Sequence, residues 1–185
     1  MGRQYKVAVV IGSLRKDGFS SRTARALMSL APSNLEFEIV PIGWLPLYDQ
    51  DAEVNAPSEW IEFRDLIRPV DGLLFVTPEY NRSVPGGLKN AIDVGSRPYG
   101  KSVWSGKPAG IVSVAPGAMG AFGANHHLRQ SLVFLDVPTM QQPEAYIGHA
   151  SSLFDESGNL INDSTREFLR NYMTKLEAWI ASLTA

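Results

Sequence analysis

The chain has 185 residues, no cysteine and a formal net charge of −2 at pH 7. That length suits a single domain, residues 1–185, burying about 70% of its unfolded surface, and the lack of cysteine excludes disulfides, thiolate metal sites and cysteine nucleophiles. The near-neutral charge gives no basis for binding nucleic acid or an anionic membrane, no apolar run reaches the length of a membrane span, and Met1–Lys6 leads directly into an apolar segment, so no signal peptide is expected and the cytoplasm is the expected compartment.

Strand-like apolar runs alternate with helix-like segments along the whole chain. Tyr5–Ile11 is the first predicted strand, Ser21–Ala31 the first helix and Phe37–Pro41 the second strand. A loop rich in Pro, Asp and Asn covers 43–57, and Ser58 is the expected N-cap of a helix running to about Arg68. Trp60, Ile61, Phe63, Leu66 and Ile67 make its expected apolar face. Gly72–Thr77 reads as a buried third strand stopped by Pro78, and Gly86–Val94 as a short helix. Ala109–Val114 is the fourth strand, 123–135 a helix, Met140–Ile147 the fifth strand and Ser164–Leu183 the last helix, with an apolar stripe that reads as core. Five strands interleaved with five helices imply an α/β, doubly wound parallel sheet with helices on both faces. Ligands then belong at the carboxyl ends of the strands, which singles out the loops 12–20, 78–85 and 115–122.

In the first loop an apolar run stops at Gly12, hydroxyls and one arginine follow, and a helix begins. Unpaired N–H groups at a helix start receive a phosphate, with Ser13, Ser20 and Ser21 as neutral donors and Arg15 as a charged one. A serine-rich cap on an ordinary helix is the alternative. Leu14 occupies the place of the second glycine of the dinucleotide fingerprint, and no Gly-Lys-Ser or Gly-Lys-Thr triplet exists. A mononucleotide such as FMN therefore suits the loop better than NAD or ATP. The second loop, Pro78 to Gly87, is stiffened by prolines and glycines, which suits main-chain groups that address the edge of a flat ring. Tyr80 is placed to pack on that ring and Asn81 to bond it; a rigid turn without ligand is the other reading. The third loop, Ala115 to Gly123, is small, flexible and free of acid–base side chains.

Gly12-Ser13-Leu14-Arg15, the sixteen residues from Pro78 to Asp93, Ser96-Arg97-Pro98, His127 to Asp136 and Pro143-Glu144 resemble the NADPH-dependent FMN reductase family, most of all its bacterial quinone and chromate reductases. The resemblance implies a flavodoxin-like five-stranded sheet in the order 2-1-3-4-5 and non-covalent FMN. The flavin phosphate maps onto Ser13, Arg15 and Ser20, with Ser21 compensating for a hydroxyl that relatives carry where this chain has Gly18. Pro78, Glu79, Tyr80, Asn81 and Arg82 map beside the isoalloxazine, and Ala115, Pro116 and Gly117 onto the third contact. The implied activity is ping-pong transfer from NADPH or NADH to quinones, chromate, azo or ferric acceptors, in homodimers or homotetramers. Relatives carry a serine where this chain has Ala115. At the tetramer contact some carry an arginine and a tyrosine facing the glutamate, where this chain has Gly123 and His126 opposite Glu144, a departure that weighs against the tetramer and not against the dimer.

Arg82 and Arg97 are the candidates for steering an anionic co-substrate, with surface ion pairs as the alternative. His126 and His127 are adjacent on a helix and point apart, which favours packing or interface roles over a shared metal. No hydrolase elbow or zinc motif occurs, so no catalytic side chain and no metal ligand are assigned, the cofactor being expected to carry the chemistry. An electron carrier without nicotinamide turnover and a non-redox mononucleotide-binding module remain the alternatives.

Overall fold

The structure, a computed structural model, describes residues 3–184. The strands are β1 (Tyr5–Ile11), β2 (Leu35–Ile39), β3 (Gly72–Thr77), β4 (Ala109–Val114) and β5 (Ala145–Ile147); the helices are α1 (Phe19–Leu30), α2 (Ser58–Ile67), α3 (Gly86–Gly95), α4 (Phe122–Phe134) and α5 (Asp163–Leu183). All strand pairs are parallel, in the order β2-β1-β3-β4-β5. Side chains alternate across a strand, and here both sets are apolar. Val7, Val9, Leu74, Val76, Val112 and Val114 pack under α1 and α5, where Leu27, Tyr172, Met173 and Leu176 meet them. Ala8, Val10, Leu73, Phe75, Ala109 and Ile111 pack under α2, α3 and α4 against Phe63, Leu88 and Leu128. Every residue of β3 and β4 is buried, as the continuous apolar runs of a doubly covered parallel sheet require.

The central strands β1, β3 and β4 coincide with their predicted limits, and the edges differ. β2 lies two residues earlier than expected, because Leu35 pairs with Tyr5 and the ladder ends before Pro41, which has no N–H to donate. The predicted fifth strand shrinks to Ala145–Ile147; ahead of it, Thr139 makes an isolated bridge to Ala109 and Met140 N–H donates to the Ala109 carbonyl (2.8 Å), and the chain then leaves the ladder through Pro143. Short 3-10 helices, two turns at Gln50–Asn55 and one at Ala150–Ser152, were not expected.

Helix α1 starts at Phe19, not Ser21, with Gly18 as N-cap. Ser58 is the first residue of α2 instead of its cap: Pro57 holds the cap position and the Ser58 hydroxyl donates to Glu59 (3.1 Å). On α2, Ile61 is 49% exposed while Arg64 is buried. Arg64 reaches beneath α3 and donates Nε–H to the Val94 carbonyl (2.9 Å), satisfying the end of that helix, and its burial lowers the guanidinium pKa. The last helix begins at Asp163 because the Asn162 side chain caps it, accepting from Thr165 N–H at 2.9 Å.

Gly12, at the end of β1, holds the sheet and α3 at close quarters. A Cβ there would lie 2.7 Å from Thr77 Oγ1 and 3.0 Å from Leu88 Cδ2, both on fully buried residues. Gly12→Ala is therefore expected to cost about 1–3 kcal/mol of stability by overpacking, read from chemical denaturation; an unchanged midpoint would show that the site relaxes freely.

Candidate functional site

Parallel strands bring their carboxyl ends to one edge. The segments after β1, β3 and β4 emerge there on adjacent strands, each about 4.8 Å from the next.

The segment after β1 closes on itself. Arg15 N–H donates to Ser13 Oγ, and the Arg15 carbonyl accepts from Gly18 N–H and from the Ser21 hydroxyl, all at 3.3 Å. Ser21 is thus turned to the loop's own backbone. Ser20 is buried, Ser13 half-buried, and the Arg15 and Lys16 side chains are exposed. A Cβ on Gly18 would stand 3.3 Å from both Ser13 Oγ and Arg15 Cβ, a tight contact that those side chains must yield to by a few tenths of an ångström. Helix α1 opens on this cradle with no side-chain cap and no acidic residue in its first turn. Its leading N–H groups and the positive end of its dipole face the loop uncompensated. Helix N–H groups, serine hydroxyls and a guanidinium form a donor set that fits the phosphate of FMN. A cavity of about 630 Å³ opens beside the loop, with Ser13, Arg15 and Lys16 on one wall and Ile39, Val40 and Ile42 on the other.

The segment after β3 is a strained two-residue turn. Tyr80 and Ser83 exchange both main-chain hydrogen bonds at 3.0 Å, while Asn81 (φ 50°) and Arg82 (φ 66°) lie in the left-handed region. This is hairpin geometry that usually calls for glycine. Arg82 pays about 1–2 kcal/mol for it, the kind of strain that collects at binding sites. Tyr80 is half exposed. The Glu79 carboxylate turns behind the loop, where it pairs with Arg82 (3.2 Å) and accepts from the Ala124 N–H at the start of α4 (3.2 Å). Gly123 makes that approach feasible, since a Cβ would lie 2.8 Å from both the Arg82 carbonyl oxygen and Glu79 Oε2.

Composition predicts a flexible third segment, but its backbone is tied down. Ala115 N–H donates to the Ile147 carbonyl (3.0 Å), Ala150 N–H to Ala115 (3.2 Å) and His149 N–H to Gly117 (3.2 Å). From below, the Ser113 hydroxyl donates to the Gly120 carbonyl (2.7 Å), Asn125 donates to Ser113 (3.2 Å) and Arg129 to Asn125 (3.0 Å). Pro116 and Gly117 are exposed and Ala115 half-buried, so this segment offers main chain and little side chain to a ligand.

Arg97 does not join the three loops. It lies past the far end of α3, about 15 Å of helix from Gly86, over the Tyr48 ring and 4.0 Å from Glu53. The two histidines do point apart: His127 Nδ1 is 2.9 Å from Ser83 Oγ, and His126 Nε2 is 2.9 Å from the Tyr146 hydroxyl. Burial, and then the Glu144 carboxylate, push that hydroxyl's pKa up to about 12. Within the chain, therefore, His126 engages Tyr146, and Gly123 faces Glu79 and Arg82. Sequence reasoning missed the Glu79–Ala124 bond and the Ser113–Asn125–Arg129 chain; the four-residue spacing of Asn125 and Arg129 on one helix was the only available hint.

The sequence profile of the NADPH-dependent FMN reductases matches residues 5–152, a span that contains all three segments. The chain is 64% identical over 181 residues to a quinone reductase of Pseudomonas putida, covering 97% of each protein. It is 50% identical over 175 residues to a 2-hydroxy-1,4-benzoquinone reductase of a Burkholderia species, covering 95% of this chain and 96% of that one. Among solved structures it is similar to FerB, a flavoenzyme NAD(P)H:(acceptor) oxidoreductase of Paracoccus denitrificans, with a TM-score of 0.91, 38% identity and coverage of 98% and 100% of the two chains. With the profile spanning most of the chain and relatives aligned almost end to end, the protein belongs to the NADPH-dependent FMN reductase family.

Proposed function

We propose that the protein is an NAD(P)H-dependent reductase that holds FMN non-covalently and passes reducing equivalents to quinones. The carrying observation is the uncapped start of α1 facing a cradle of Ser13, Arg15 and Ser20. In this reading these residues hold the flavin phosphate, and Ser21 supports them by anchoring the Arg15 carbonyl. The Pro78–Arg82 main chain addresses the ring edge, Tyr80 and Asn81 border the ring, and the backbone of Ala115, Pro116 and Gly117 lets it approach closely. FMN, when bound, supplies the redox chemistry, accepting hydride from the nicotinamide and releasing reducing equivalents to the acceptor. The chain contributes position and electrostatics: tied loops keep the main-chain donors fixed, and the exposed Arg82 guanidinium attracts an anionic co-substrate to the rim. Arg97, engaged with Glu53 and Tyr48, takes no part in this reading.

The whole chain then acts as one FMN-binding domain in the cytoplasm, where its lack of cysteine carries no cost. Val133 and Phe134, 72% and 85% exposed on α4, support self-association as a homodimer.

One open site used in turn by donor and acceptor requires ping-pong kinetics. Double-reciprocal plots of NADPH oxidation at several benzoquinone concentrations are expected to be parallel; lines that intersect would exclude the alternating cycle. Arg15→Ala is expected to weaken FMN about ten- to a hundredfold, the loss of one charge-assisted hydrogen bond, and to leave riboflavin affinity unchanged. Equal losses for both ligands would place the phosphate away from Arg15.

A further inference from the structure

We propose that Glu79 is a positioning residue, whose carboxylate clips the Tyr80–Ser83 turn to the first turn of α4 and so fixes the main chain that grips FMN. The inference deepens the flavin reading and rests on it for the ligand, although the clip itself is a property of the ligand-free protein.

A carboxylate placed to meet a ligand would face the open edge. Glu79 is instead only 13% exposed, with Oε1 engaged by Arg82 and Oε2 by the Ala124 N–H. Helix α4 needs that acceptor. Its N-cap is Ala121, with no side-chain cap bond, and its first turn holds no acidic residue. Glu79 thus caps α4 from another element and places a negative charge at the positive end of its dipole. A second tie joins the same two elements, because His127 and Ser83 meet at 2.9 Å at the other end of the turn. Ala124 and His127 are three residues apart, on one face of α4, so the turn lies along that face held at both ends.

The turn needs such support. Asn81 and Arg82 both sit in the left-handed region, which two non-glycine residues keep only when their surroundings enforce it. Gly123 supplies the room, and any side chain there would push on the Arg82 carbonyl and on Glu79 together.

Three variants test the clip through two readouts: amide hydrogen exchange of residues 80–83 in FMN-free protein, and FMN affinity by flavin fluorescence quenching. Glu79→Ala is expected to speed exchange in the turn and weaken FMN about tenfold, the worth of one charge-assisted bond. Gly123→Ala removes no polar group, yet is expected to act in the same direction by prising the turn from α4. Glu79→Gln keeps an acceptor for the Ala124 N–H and loses the charge that pairs with an exposed arginine and faces the α4 dipole, each a small contribution; exchange should stay near wild type and FMN affinity within about threefold. Unchanged exchange in Glu79→Ala and Gly123→Ala would overturn the clip, whatever the ligand. Equal FMN losses in Glu79→Ala and Glu79→Gln with Gly123→Ala unaffected would overturn it too, by making the carboxylate a direct ligand contact. A wild-type protein that takes up no FMN would defeat the flavin reading alone, and the exchange data would still decide on the clip.

Discussion

Burial of β3 and β4 on both faces is the constraint from which the rest follows. Helices cover each side of these strands, so neither can carry exposed polar side chains along its length. Chemistry is therefore driven to the strand ends. The change from core to site occurs at one register position, where Thr77 of β3 pairs with Ser113 of β4. Both hydroxyls are fully buried, and each bonds the carbonyl of the loop it supports: Thr77 to Pro78 at 2.8 Å and Ser113 to Gly120 at 2.7 Å. Gly12 packs against the same threonine from β1. The three loops thus rest on one floor of close contacts, and a disturbance of that floor reaches the proposed flavin site without touching it.

The three loops differ in the chemistry they offer a ligand. The segment after β1 offers charge and uncapped N–H groups, which suits a phosphate dianion. The segments after β3 and β4 offer chiefly main chain, which suits a flat ring bordered by alternating donors and acceptors. Their glycine and alanine content does not make them loose. Bonds to the residues after β5 hold the third segment, and contacts to α4 hold the second. Fixing main-chain donors in advance is how a protein stabilises charge changes on a bound cofactor without reorganising during the reaction.

The central sheet was legible because its residues obey strong local rules. Unbroken apolar runs bounded by Gly12 and Pro78 mark β1 and β3, and the buried run Ala109–Val114 marks β4 as clearly. Edge strands carry weaker patterns. β2 buries only Leu35 and β5 spans three residues, so their limits depend on a ladder that the sequence does not display. Arg64 was hidden for a different reason, since its partner is the end of a helix thirty residues away. The candidate binding residues were legible as types and positions, but not their orientations. Glu79 sits in the expected loop, yet its carboxylate caps a helix that begins more than forty residues later, a pairing no local spacing encodes. Arg97, read either as a steering group or as a surface ion pair, lies past the end of α3 over the Tyr48 ring and 4.0 Å from Glu53, partners from a distant loop that its own segment does not display.

The central question is whether this chain alone, with FMN bound, passes reducing equivalents from a nicotinamide to a quinone. Anaerobic stopped-flow mixing of the FMN-loaded protein with NADPH, followed by benzoquinone, tests it most directly. The oxidised-flavin absorbance should fall on the first mixing and return on the second. Bound flavin that keeps its absorbance with both NADPH and NADH would contradict the reductase cycle and leave a carrier that must be reduced by another protein.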